Sequence, residues 1–147
     1  MSELAMRRPS TRQRWPMTEE ALHALVDELG RLRADVASLA GAPAEGVVDL
    51  AVVTAARRLD VLSAVLDTAE RTNEPERAAI GRRVTILEAD GESVTYALVF
   101  PGDGDPHQGW ISADSPLGSA VLGCEPGDRA EVAAPAGRRV VTVVSVA

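Results

Sequence analysis

The sequence predicts an α+β protein: an antiparallel helical hairpin followed by a β-rich domain. Two stretches carry apolar residues at alternating spacings of three and four, the signature of a helical seam, and a Gly/Pro-containing break separates them. Beyond Pro75 the pattern changes to short β-branched and aromatic runs bounded by glycine turns. A chain of 147 residues is long enough for one domain or two small ones.

Residues 1–17 are polar, contain Pro9 and Pro16, and hold Arg7, Arg8, Arg12 and Arg14 against Glu3 alone, which reads as a flexible basic arm. Thr18 then caps the first helix, with Glu19 and Glu20 suited to the positive end of its dipole. Its seam is Leu22, Leu25, Leu29, Leu32, Val36 and Leu39. The stretch Gly41-Ala42-Pro43-Ala44-Glu45-Gly46 breaks it. The second seam is Val52, Ala55, Leu59, Leu62, Leu66 and Ala69, and Asn73-Glu74-Pro75 ends the second helix. Two matching seams joined by a short loop make a coiled-coil hairpin over residues 18–74. So small a pair needs either a partner on its other face or a role as a projecting arm.

The β-domain is expected over residues 75–147. Val84 to Leu87 and Val94 to Phe100 read as strands joined at Asp90-Gly91, with Val94, Tyr96, Leu98 and Phe100 on one face. A loop from Pro101 to Gln108 leads to a short strand, Gly109 to Ser112. Ser115 reads as an N-cap, Pro116 as the first helical residue and Gly123 as the stop of a helix over 115–122. Ala130 to Val132 and Val140 to Val146 are joined by Pro135-Ala136-Gly137. Five short strands and one helix can make a compact half-barrel wrapped on that helix.

Composition excludes several functions. A net charge of −7 argues against a general nucleic-acid binder, which needs a basic face. Residues 18–74 hold eleven acids against five arginines, so the hairpin is acidic, and direct nucleic-acid contact by the basic arm is left open. Cys124 is the only cysteine, which rules out an intramolecular disulfide and fits a reducing cytoplasm. No apolar run reaches the ~20 residues of a membrane span, and no apolar h-region follows the N-terminal arginines. The expectation is a soluble cytoplasmic protein.

In order, Gly109-Trp110-Ile111-Ser112, Asp114-Ser115-Pro116, Glu125-Pro126-Gly127-Asp128 and Pro135-Ala136-Gly137 make a moderately specific set. Together with Ile80-Gly81-Arg82-Arg83-Val84 and Val94-Thr95-Tyr96, they resemble the C-terminal domain of Gre-type (GreA/GreB) transcription elongation factors over most of residues 80–146. All fifteen basic residues are arginine, which suggests a GC-rich, actinobacterial-type coding sequence, and the missing acidic tip motif described below marks a diverged homologue. The resemblance implies an FKBP-like fold for the β-domain, and the hairpin is similar to the family's N-terminal coiled coil. It also implies docking at the rim of the secondary channel of bacterial RNA polymerase, with Asp114, Ser115 and Pro116 as the partner contacts.

The hairpin tip departs from the family. Gre factors that stimulate transcript cleavage carry an acidic pair there that helps the polymerase hold a second catalytic Mg²⁺, a task for oxygen ligands. In this sequence Glu45 and Asp49 are the only acids between Ala44 and Val52, and Val47 and Val48 stand where polar groups are wanted. The implied activity is therefore channel occupancy that inhibits transcription, by a monomer that is not itself an enzyme and has no cofactor. The alternative is cleavage stimulation, with Mg²⁺ shared at the polymerase centre through Glu45 and Asp49. Two readings from other classes are weaker. A peptidyl-prolyl isomerase needs an aromatic pocket, and Trp15, Tyr96, Phe100 and Trp110 are the only aromatic residues. An adaptor would use the hairpin on some other protein.

The remaining candidates have plain readings. Gly102-Asp103-Gly104-Asp105 lacks the further ligands of a calcium loop and reads as a turn. His23 and His107 lack zinc-ligand spacing, Cys124 reads as a small apolar filler, and Arg82-Arg83 are expected near Arg138-Arg139 across the sheet.

Overall fold

A computed structural model describes residues 14–40, 50–135 and 137–147. The chain is α+β, a helical hairpin followed by a curled β-sheet domain with one short α-helix. Strand β1 (Trp15–Met17) enters helix α1 (Glu19–Ala40); helix α2 (Leu50–Asp67) returns to strand β2 (Ala69–Arg71). Glu28 meets Arg58, while Leu32, further along α1, lies beside Leu50 to Arg58 of α2, so the helices run antiparallel.

Thr18 caps α1 as its sequence predicts, its hydroxyl accepting from the Ala21 N–H at 3.0 Å. The seam residues Leu25, Leu29, Leu32 and Leu62 are buried, together with Val65. Full burial of a leucine side chain contributes ~1.5–3 kcal/mol, so this short seam carries much of the hairpin's stability. Toward the tip, Leu50 is 75% exposed and Val52 only half-buried.

The end of the segment expected to be a loose arm is ordered. Residues 15–17 form a strand that pairs in parallel with β2, and Met17 is fully buried. The second helix correspondingly ends at Asp67, six residues before Asn73, and Ala69 belongs to β2 rather than to the helical seam. A three-residue strand is too short to show periodicity; it exists because Ile80 bridges to Met17 and the Thr18 N–H donates to the Ile80 carbonyl. Residues 1–13 lie outside the described residues.

The second sheet contains β3 (Arg83–Leu87), β4 (Ser93–Val99), β5 (Trp110–Ser112), β6 (Arg129–Ala134) and β7 (Gly137–Val146), in the order β5-β4-β3-β7-β6. Helix α3 (Pro116–Val121) packs against both edge strands, β5 and β6, so the sheet curls around it. Its inner face supplies Val84, Ile86, Leu98, Val132, Val141 and Val143, all essentially buried. Leu98 is the most deeply buried of the face that includes Val94, Tyr96 and Phe100, the others being half-buried. On the outer face the Thr85 and Thr95 hydroxyls hydrogen-bond across strands at 2.8 Å.

One placement differs from expectation. Leu87 of β3 pairs with Thr142 of β7 and Val84 with Val146, so Arg83 and Arg139 sit at opposite ends of the pairing. Arg139 instead meets Glu88 at 3.5 Å, and the Arg83 N–H donates to the Ala147 carbonyl. The register, which no residue count reveals, separates the two arginine pairs. No described helix is long and apolar enough to cross a membrane.

Candidate interaction site

The Asp114-Ser115-Pro116 motif lies where β5 turns into α3. The Ala113 N–H donates to the Val99 carbonyl at 2.9 Å, and Ala113 is fully buried, which anchors the chain just before the motif. Asp114 is exposed, and its carboxylate has no arginine partner among the described residues. Ser115 is the N-cap: its Oγ accepts from the Gly118 N–H at 3.0 Å and donates to the Ser112 carbonyl at 2.7 Å. Its proton and one lone pair are thus used internally, which fixes the turn and leaves one acceptor position. Pro116 occupies the first helical position with its ring exposed.

Gly118, not singled out in the sequence, frames this motif. It is buried, and a Cβ on it would meet the Ser112 carbonyl oxygen at 1.9 Å. Only a glycine lets α3 approach β5 so closely. A glycine inside a helix of six residues was the available signal. Ser112 is the second missed residue: its carbonyl takes both the Ser115 hydroxyl and N–H, while its own hydroxyl accepts from the Gly104 N–H at 3.0 Å.

The 101–109 loop is more structured than a plain turn. Asp105 caps a 3-10 turn at Pro106–Gln108, accepting from the His107 N–H and from Gln108 Nε2. Asp103 reaches the hairpin, where Arg58 Nη2 meets its carboxylate at 3.0 Å. Arg58 also contacts Glu28 of α1 at 3.5 Å, and Glu28 pairs with Arg31 at 2.8 Å. The hydrogen bond from Arg31 above all, and then Arg58, holds the Glu28 carboxyl below its ordinary value of 4.5, against the opposing effect of partial burial.

Glu45 and Asp49 lie outside the described residues. No group of three or more His, Cys, Asp or Glu that could hold a metal occurs among the described residues. Cys124 is half-buried against the core, its thiol 3.5 Å from the Ala120 carbonyl.

Residues 73–147 match the family model described as transcription elongation factor GreA/GreB, C-terminal. A transcription elongation factor GreB of Xanthomonas axonopodis pv. citri is 33% identical over 150 aligned residues, covering 89% of this chain and 88% of that protein. A GreA of Geobacillus kaustophilus is 37% identical over 87 residues, covering 58% of this chain and 54% of that one. The chain thus spans about half the length of that GreA and of the GreA of Hyphomonas neptunium, of which it covers 45%. A GreA/GreB structure from Nitrosomonas europaea aligns with a TM-score of 0.49 at 25% identity, over 90% of this chain and 98% of that one. From the family match over half of the chain and the near full-length similarity to a GreB, the chain belongs to the GreA/GreB family of transcription elongation factors.

Proposed function

We propose that this protein binds bacterial RNA polymerase at the rim of its secondary channel through the Asp114–Pro116 face, and inserts the helical hairpin into that channel. It hinders transcription by occupying the channel and does not stimulate transcript cleavage. It acts in the cytoplasm as a monomer and catalyses nothing itself. The observation that carries this reading is the pairing of a family-type docking motif, exposed and rigidly capped, with a tip sequence whose only acids are Glu45 and Asp49.

Two metals that clamp the attacking and leaving oxygens require added carboxylates at a set distance, and a misplacement of ~1 Å can cost ~10²-fold in rate. Val47 and Val48 give the tip no further oxygen ligands. Glu45 and Asp49 favour one second reading, a cleavage-stimulating factor that shares Mg²⁺ with the polymerase. RNA cleavage in a backtracked elongation complex, run beside a nucleotide-addition assay, separates the two. Slowed addition without faster cleavage supports the inhibitor; accelerated cleavage that is lost in Glu45→Ala/Asp49→Ala establishes the stimulator. Asp114→Arg weakens polymerase binding by about tenfold or more, as expected for reversing a charge in a docked contact, while the domain stays folded. Unchanged affinity removes that face from the interface.

A further inference from the structure

Among the described residues, two contacts between the hairpin and the β-domain stand well apart along the hairpin. At the base, Met17 bridges to Ile80, and Gly81 comes so near the α1 cap that a Cβ there would meet Thr18 Oγ1 at 2.5 Å. Higher up, Arg58 reaches Asp103. Arg58 stands nine residues before the end of α2 at Asp67, about 13 Å up the hairpin at ~1.5 Å per residue. A cavity of about 490 Å³ is lined by residues of both contact regions, among them Thr18, Ile80, Gly81, Phe100 and Asp103. Neither hairpin helix packs broadly on a strand of the five-stranded sheet. A base contact alone leaves the tilt of a rod open; a second contact some distance along it closes that freedom.

The second contact is also tied to the docking motif. Asp103 is followed by Gly104, whose N–H is held by the Ser112 hydroxyl, and the Ser112 carbonyl holds Ser115. On the hairpin side Glu28 braces the Arg58 guanidinium from α1, so the arginine joins both helices to the loop. Gly102, beside the Arg58 guanidinium, takes a φ of +92°, a backbone turn that side-chain-bearing residues rarely adopt.

We infer that Arg58, braced by Glu28 and seated on Asp103, is a positioning residue that sets the angle between the hairpin and the Asp114–Pro116 face. The inference rests on the proposed polymerase reading for its consequence, though not for its geometry. Leu50, at the outer end of α2, lies eight residues beyond Arg58, about 12 Å at ~1.5 Å per residue, so a shift of ~1 Å at the arginine becomes ~2 Å at Leu50. A hairpin aimed by one face into a channel entered from that face depends on this angle.

The test uses the full chain with spin labels at Ser38→Cys and Val144→Cys, both exposed positions, in a Cys124→Ser background. Distances are measured in the parent, Arg58→Met, Asp103→Asn and Asp103→Glu proteins, with circular dichroism reporting the fold. The expected result is one narrow distance in the parent, broadened or shifted in Arg58→Met and Asp103→Asn, and restored toward the parent in Asp103→Glu. Distributions identical to the parent in both disruptive variants overturn the strut. On polymerase, Arg58→Met and Asp103→Asn keep binding within about twofold but lose about tenfold of the effect on nucleotide addition. Full effect despite broadened distances overturns the positioning role. A parent protein that fails to bind polymerase defeats the polymerase reading alone, because the distances still decide the strut.

Discussion

The base of the hairpin and its outer half are built from the same kind of sequence yet are held differently. Around Leu25, Leu29, Leu62 and Val65 the helices share a buried core with Met17 and Ile80, which belongs to the β-domain's side of the chain. Toward the tip the apolar residues thin to Leu50, Ala51, Val52 and Val53, exposed or half-buried. Two helices offer each other one stripe only, so where no third element covers them their side chains remain wet. A projecting element is thus rooted by packing and held in direction further out by ion pairs. Stability resides at the root and in the curled sheet, while the residues of the outer half from Leu50 to Val53 are exposed or half-buried.

The sharpest way to break this contrast is to remove equivalent leucines. Leu29→Ala and Leu98→Ala, at fully buried positions of the hairpin root and the sheet, are each expected to cost ~2–5 kcal/mol. Leu50→Ala, at a 75% exposed position, is expected to stay within ~0.5 kcal/mol. Chemical denaturation measures all three, and a Leu50 effect equal to that of Leu29 would mean that the outer half is packed in solution.

Gly118→Ala comes next. Its Cβ would collide with the Ser112 carbonyl, so α3 must shift from β5, at a cost of ~1–3 kcal/mol for overpacking. Because Ser115 hangs on the same carbonyl, the variant is also expected to bind polymerase more weakly than its loss of stability explains, which a binding titration on the folded protein would show.

Arg58→Met is expected to change stability by less than ~1 kcal/mol, the scale of a partly exposed ion pair, while altering hairpin direction as measured by the label distances. The smallest effect concerns Glu28. Its carboxyl titrates below 4.5 in the folded protein, so its stabilising contribution is present above 4.5 and is lost as pH falls through the depressed value. Glu28→Gln therefore lowers the melting temperature slightly near neutral pH and converges with the parent below that window. Parallel curves across the whole range would show that Glu28 makes no such contribution.

Elements that repeat or are capped are legible in the residues alone. The two helical seams, the alternation in β3 and β4, and the Ser115-Pro116 start of α3 all follow from periodicity and local hydrogen-bonding chemistry, which act over a few residues. Features that depend on distant neighbours emerge only when the chain is folded. Trp15–Met17 became a strand because Ala69–Arg71 and Ile80 flank it, and Gly118 became indispensable because the Ser112 carbonyl lies against it. Asp103 reads as a turn acid, and nothing local links it to Arg58, forty-five positions away, which the fold brings to 3.0 Å from its carboxylate. Local chemistry is written in adjacent residues, whereas register, close approach and long-range ion pairing are set by packing that no short window of sequence contains.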